Sequence, residues 1–425
     1  MRHNLIGHLT KTANDYNGIA RSRIGLGYFV HISNPAYIEH VLTTGDVYVK
    51  SKENRELKFL LGNGLLTSEG GFWLKQRRLI QPLFHKQRLM GFVQKIEETC
   101  ETLINEWSRT GSGVKDIHSE MTRLTLGIVS KTLLSTDASA DFKKVSHALE
   151  ILMKGLASRT VSVIRLPYWV PLPGNMRVVT NRKLLDETIH QIINGRRTDT
   201  QQYDDLLTML MEVEDADTRE RMTDVQLRDE VLTIFLAGHE TTANGMAFLL
   251  YHLAKYPEVR ERIAQEVKTV FNGGPLNYEG LMKLDYTTRV IKESMRLFPP
   301  AWIMARIALR DEVMDGYQIK KGDTMVMSPY AVHHLARLWP NPEKFDPDRF
   351  LPENLKQMHK YAYFPFGGCA RLCIGNNFAM MEMQIILAMI APRFRFSIPE
   401  NFKFALEPLV TLRPKGGLKL RVTSA

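Results

Sequence analysis

Apolar residues recur at helical spacing along most of the chain, and period-two alternation is confined to short stretches. The strongest periodic run opens at Thr223, where Thr223 and Gln226 have capping-box spacing. It continues through Leu227, Val231, Ile234, Phe235, Leu249 and Leu253 to Lys255 and stops before Pro257. A helix of roughly thirty residues is about 45 Å long, enough to cross a whole domain. Its middle breaks the pattern: Ala237-Gly238-His239-Glu240-Thr241-Thr242 places a helix-weakening glycine and a row of polar side chains where burial is expected. A mere scaffold has no need of them.

Around this helix the pattern predicts a short first helix, strand-like runs near Tyr28 to Ile32, and a helix over Ala36 to Leu42 opened by Pro35. Pro167, Pro171 and Pro173 among Tyr168, Trp169 and Val170 forbid a continuous helix from Leu166 to Asn175 and describe an apolar loop. A helix carrying Glu293 and Arg296, strands near Arg306 to Leu309 and Tyr317 to Met327, a Pro-rich stretch from Pro340 to Pro352, and a last helix after Gly375 complete the chain. The expected fold is mainly α with a smaller β-rich portion.

Composition narrows the class. The 425 residues are 44% hydrophobic and 24% charged, which suits a globular protein with a sizeable core and excludes general disorder. No linker-like stretch divides them, so one domain over residues 1–425 is expected. Three cysteines make no disulfide framework and suggest a reducing, cytoplasmic setting. No run of eighteen apolar residues is present, and Met1-Arg2-His3-Asn4 does not begin an export signal, so no integral membrane segment is expected. Lys+Arg 56 against Asp+Glu 46 gives a net charge of +10. Between Gly70 and Ile96 lie Lys75, Arg77, Arg78, Lys86, Arg88 and Lys95 without one acid, a sign of an acidic partner or of a solvated basic face.

Cys373 stands in Phe366-Gly367-Gly368-Cys369-Ala370-Arg371-Leu372-Cys373-Ile374-Gly375, just ahead of a helix. The unpaired N–H groups and dipole of a helix N-terminus stabilise a thiolate, which suits a metal ligand or a nucleophile. His239-Glu240 suggests a zinc protease, but Ala243 occupies the place of the second His. Neither a Gly-x-x-x-x-Gly-Lys loop nor a Gly-x-Gly-x-x-Gly motif is present, so a nucleotide-binding enzyme is disfavoured.

Phe366, Arg371, Cys373 and Gly375 resemble the haem-binding loop of the haem-thiolate monooxygenases, the cytochrome P-450 superfamily. Ala237 to Thr242 is similar to the family's oxygen-activating segment, Glu293 and Arg296 to its Glu-x-x-Arg pair, and Pro347-Asp348-Arg349-Phe350 to its Pro-x-Arg-Phe element. Trp73 and Arg77 match a Trp-x-x-x-Arg pattern, and Arg306 a further basic position. Glu-x-x-Arg alone says little, since Glu106 and Arg109 share the spacing. The order of the elements carries the likeness, from about Tyr16 to Val422.

The resemblance implies haem b between the central helix and the Cys373 loop, with Cys373 as iron ligand, because thiolate ligation favours O–O cleavage. Trp73, Arg77, Arg306 and Arg371 become candidate donors to the haem propionates. Phe366 and Gly375 frame the ligand, and Ala237 and Gly238 leave room for oxygen. Glu240 and Thr241 form an acid–alcohol pair able to relay protons. Glu293, Arg296 and Arg349 become a structural ion network. The implied reaction inserts one atom of O2 into an apolar small molecule, with Val231, Ile234, Phe235 and Ala301 to Met304 toward the pocket. Electrons come from a separate ferredoxin or flavodoxin-type donor, docking by electrostatic steering near Lys75, Arg78, Lys86 and Arg88, and no nucleic acid is involved. The Trp169 loop corresponds to a substrate entrance, with a plain surface loop or a membrane-touching patch as alternatives. The sequence departs from the family at Cys369, where Gly is usual, and at Ala370, where Pro is frequent. A Cβ at residue 369 costs about 1–2 kcal/mol if the backbone needs positive φ, and Cys369 is a rival ligand that lacks the Phe and Gly flanks. A haem-thiolate sensor and a peroxide-using enzyme are the rival functions; Glu240 and Thr241 argue against both.

Overall fold

The computed structural model describes residues 4–24, 27–51, 53–135, 140–160, 166–215 and 217–425; Met1, Arg2 and His3 of the opening stretch lie outside them. It is mainly helical with small β sheets, as the periodicity predicts. Among the described residues no helix is long and apolar enough to cross a membrane. Two compact units are distinguishable: Met1–Ser51, Cys100–Met121 and Thr241–Ala425 form the first, and Lys52–Thr99 with Thr122–Glu240 the second.

The first unit holds α1 (Leu5–Asp15) and a five-stranded sheet of β1 (Ile19–Ile24), β2 (Gly27–Ile32), β3 (Tyr48–Lys50), β4 (Met304–Ala308) and β5 (Thr324–Met327), in the order β1-β2-β5-β4-β3. Tyr317 to Met327 is thus two strands, because a turn at 320–323 separates Tyr317–Ile319 from β5. β2 and β5 run parallel with Val30 opposite Met325, while β4 pairs antiparallel with β3 and sets Arg306 opposite Lys50. Alternate residues of these strands, Val30, Ile32, Met325 and Met327 among them, bury one face with Ile38, Val41 and Tyr361.

The second unit contains α2 (Gly70–Ile80), most of α3 (Ile117–Leu134), α4 (Pro173–Thr198) and the first half of α5 (Asp224–Lys255). Pro173 opens α4 at its first turn, so the apolar loop is shorter than the prolines alone suggest. α5 has 32 residues and a length of about 48 Å. Its predicted capping box is formed: the Thr223 N–H donates to Gln226 Oε1 at 2.8 Å and the Gln226 N–H to Thr223 Oγ1 at 3.3 Å.

A buried charge cluster ties a loop to α5 within this unit. Asp229 accepts from the Asn63 N–H at 2.6 Å and Glu230 from the Leu65 N–H at 3.0 Å. Arg228 donates to Asp186 at 2.9 Å, to Asp229 at 2.8 Å and to the Leu60 carbonyl at 3.1 Å. A Cβ on Gly62, whose φ is +61°, would lie 2.1 Å from the Asp229 carboxylate, and one on Gly64 would lie 2.3 Å from Thr233 Oγ1. Only glycine lets this backbone reach those carboxylates.

Candidate functional site

In the first unit, the Cys373 loop is built by backbone bonds. The Gly367 N–H donates to Phe364 O at 3.0 Å, Leu372 N–H to Cys369 O at 3.1 Å and Cys373 N–H to Phe366 O at 3.0 Å. Gly367 has φ +73°, and a Cβ on Gly368 would stand 2.4 Å from the Tyr361 ring, so both glycines are required. Cys369 has φ +55°, the left-handed region that the loop demands at this position, and it carries the strain of a Cβ there. The unit's helices include α6 (Asp285–Leu297) and α7 (Asn376–Ile390); Cys373 is solvent-exposed directly before α7, whose N-cap Gly375 gives no side-chain cap. The uncapped first turn of α7 is a favourable setting for a thiolate.

Behind this loop, α6 presents the predicted ion network. Arg296 donates to both Glu293 oxygens at 2.7 and 2.8 Å, and both side chains are fully buried. The Asp346 N–H bonds Glu293 Oε1 at 2.9 Å, and Arg349 Nε stands 3.5 Å from the same oxygen. Arg296 further donates to the carbonyls of His333 and Pro342, at 2.7 and 2.8 Å. His333 joins network to loop: its Nε2 accepts from the Phe364 N–H at 3.1 Å while Nδ1 faces the Arg296 carbonyl at 3.2 Å. Those partners fix a neutral ring protonated on Nδ1, and burial holds its pKa well below the ordinary value. Sequence reasoning found Glu293, Arg296 and Arg349 and missed His333, whose partners are 31 and 37 residues away.

Also in this unit, Thr241 is half-buried and Thr242 buried on α5, and Arg306 and Arg371 are half-buried. Arg306 donates to the Ala305 carbonyl at 3.0 Å. Phe366 and Gly375 are half-buried at either side of the exposed cysteine. Trp302 does not line an open wall: it is buried in the core, with Nε1 donating to Leu409 O at 3.0 Å. Sequence reasoning missed Glu382 on α7, a fully buried carboxyl whose polar neighbour is Thr242. Burial pushes its pKa up to about 8, against a smaller downward pull from the Thr242 hydroxyl. The signal was available, because Glu382 is the one charged residue among the apolar positions of α7.

In the second unit, α2 carries Trp73 and Arg77 one turn apart on one face, the tryptophan buried and the arginine half-buried. Arg77 Nε donates to Gln81 at 3.2 Å. Lys75 and Arg78 are not free basic charges: Lys75 pairs with Glu220 at 2.6 Å and Arg78 with Asp217 at 3.5 Å. On α5, Leu232, Phe235, Leu236 and His239 are buried, whereas Ala237 is exposed and Gly238 and Glu240 half-buried. The helix passes from the second unit into the first between Glu240 and Thr241. Gly238 has a packing role, since a Cβ there would lie 3.1 Å from Val129 Cγ2 of α3. Val231 and Phe235 are wholly buried and Ile234 partly so. Trp169 is 82% exposed in a loop closed by Asn175, which donates to the carbonyls of Pro167 and Val170 at 3.0 Å.

Within the first unit, the exposed Cys373 at the start of α7 and the half-buried Arg306 and Arg371 are donors of the kind a thiolate-ligated haem needs. The family model "Cytochrome P450" matches residues 1–421. The chain is 34% identical to "Putative cytochrome P450 132" of Mycobacterium tuberculosis, over 94% of this chain and 89% of that protein. It is 31% identical to "Cyclooctat-9-en-7-ol 5-monooxygenase" of Streptomyces melanosporofaciens, over 89% of this chain and 83% of that one. The crystal structure of the cytochrome P450DA heme domain superposes with a TM-score of 0.90 at 27% identity, covering 99% of this chain and 93% of that one.

Proposed function

This chain belongs to the cytochrome P450 family of haem-iron monooxygenases, and on that footing we propose that it hydroxylates an apolar small molecule at a haem b held by Cys373. As a P450 monooxygenase it uses a substrate, O2 and a redox partner. Haem iron with a thiolate ligand supplies reductive O–O cleavage, so that one oxygen atom enters substrate and the other leaves as water. The remaining tasks fall to side chains. Cys373 is the iron ligand, framed by Phe366 and Gly375, with Cys369 on the strained turn four residues earlier. Trp73, Arg77, Arg306 and Arg371 supply the donors and positive charge that two propionates need. Glu240 collects a proton and passes it to Thr241 Oγ1, which donates it at the oxygen site; Ala237 and Gly238 keep side chains out of that space.

The observation that carries this reading is the strip Ala237, Gly238, Glu240 and Thr241, accessible on a helix whose neighbours Leu236, His239, Thr242 and Ala243 are buried. An apolar substrate agrees with the flanking Ile234 and with the name of the cyclooctat-9-en-7-ol monooxygenase, an unsaturated alcohol by its wording. A ferredoxin or flavodoxin-type donor is the partner of choice. Lys75, Arg78, Lys86 and Arg88 would steer its docking, Lys75 and Arg78 being shared with Glu220 and Asp217. We place the enzyme in the cytoplasm and treat residues 1–425 as one functional haem domain. Replacing Thr241 by Ala tests the relay: the fraction of electrons released as hydrogen peroxide should rise severalfold under a surrogate ferredoxin donor. Unchanged peroxide would remove Thr241 from it.

A further inference from the structure

The relay residues sit on a helix, and a helix holds them only as firmly as its own backbone is held. Within the second unit, Thr125 of α3 is fully buried and its Oγ1 donates to the His239 carbonyl at 3.0 Å. Its alternative acceptor, the Thr122 carbonyl of its own helix, is more distant at 3.3 Å. A hydroxyl has one proton to donate, and the shorter bond is the one across to α5. One turn along α3, Val129 stands against Gly238 so closely that any Cβ there would be 3.1 Å from its methyl group. Two consecutive residues of α5, Gly238 and His239, are therefore clamped by two residues of α3 one turn apart, immediately before Glu240 and Thr241.

We propose that Thr125 is a positioning residue for proton delivery, fixing Glu240 and Thr241 through the backbone carbonyl of His239. The inference rests on the relay reading above. A carbonyl oxygen has two lone pairs, so His239 O keeps its place in the helix ladder while accepting from Thr125. Loss of the second bond leaves the helix intact and frees the turn that carries Glu240. The relay works only while acid and alcohol keep their placement about the oxygen site, so a looser turn diverts electrons to peroxide.

The test compares Thr125→Val, which keeps the side-chain shape without the hydroxyl, with Thr125→Ser, which restores it, both as haem-loaded full-length protein. Amide hydrogen exchange of the segment from Leu236 to Met246 should quicken about five-fold in Thr125→Val, the factor corresponding to one ordinary hydrogen bond, and return in Thr125→Ser. The peroxide fraction under a surrogate ferredoxin donor should rise in Thr125→Val and fall back in Thr125→Ser, with the carbon monoxide spectrum unchanged in all three proteins. Wild-type exchange and peroxide in Thr125→Val, beside raised peroxide in Thr241→Ala, would overturn this inference and leave the relay standing. Unchanged peroxide in Thr241→Ala would remove the relay, and the role of Thr125 with it. Quickened exchange without extra peroxide would make Thr125 a packing residue only and also overturn the proposal.

Discussion

Glu382→Gln should make the enzyme more stable, and increasingly so as pH rises. The carboxyl is wholly buried, with the Thr242 hydroxyl as its polar neighbour, and its pKa is pushed up from 4.5 to about 8. A carboxyl with a raised folded pKa keeps its proton while the unfolded chain would release it. Its penalty is absent below pH 4.5, grows through the window from 4.5 to about 8, and is constant above. Each pH unit in the window costs about 1.4 kcal/mol, so the loss from pH 5.5 to 7.5 is about 3 kcal/mol. Gln has nearly the same shape and cannot ionise. The buried His252 and His333, whose pKa values burial lowers, change stability with pH as well, with the opposite slope. They are common to both proteins and cancel in the difference. Guanidinium unfolding of wild type and variant at pH 5.5, 6.5 and 7.5, followed by far-ultraviolet circular dichroism, gives that difference. A gap widening by about 3 kcal/mol supports a neutral Glu382. A constant gap would mean that the carboxyl is ionised in the folded protein and that the reasoning from burial is wrong.

Three further outcomes follow from the geometry. Cys369→Gly removes a Cβ from a residue at φ +55° and should stabilise the holoprotein by about 1 kcal/mol, measured as a rise in denaturant midpoint, with the Soret spectrum retained. Glu293→Gln or Arg296→Met leaves one partner of a fully buried pair uncompensated; a loss of about 3–5 kcal/mol should appear as failure to retain haem at 37 °C, read from the haem-to-protein absorbance ratio. Thr223→Ala removes one arm of the capping box and should cost about 1 kcal/mol by denaturant unfolding, with electron coupling unaffected.

What the sequence made legible is what depends on near neighbours. The capping box at Thr223 and the helix opened by Pro35 each follow from a few adjacent residues, and the strained turn at Cys369 from the family resemblance; each is present in the structure. The Glu293, Arg296 and Arg349 network was reachable through family resemblance, and its geometry is now plain. Tertiary partners were not legible. Lys75 and Arg78 looked unopposed because the acids that meet them, Glu220 and Asp217, lie far along the chain. Thr125 reaches a carbonyl 114 residues away, and no periodicity marks such a bond. The family resemblance makes Gly238 space for oxygen, and the structure adds the close approach of Val129. Pro173 breaks a continuous helix, yet at the first turn of α4 its missing N–H costs nothing.

The proposed activity turns on Cys373 as the iron ligand. The most direct measurement is the absorption spectrum of the dithionite-reduced holoprotein under carbon monoxide, taken for wild type, Cys373→Ala and Cys369→Ala. The account predicts a Soret band at about 450 nm in wild type and Cys369→Ala, and its loss in Cys373→Ala. A band of about 450 nm that survives in Cys373→Ala, or one of about 420 nm in active wild-type enzyme, would contradict it.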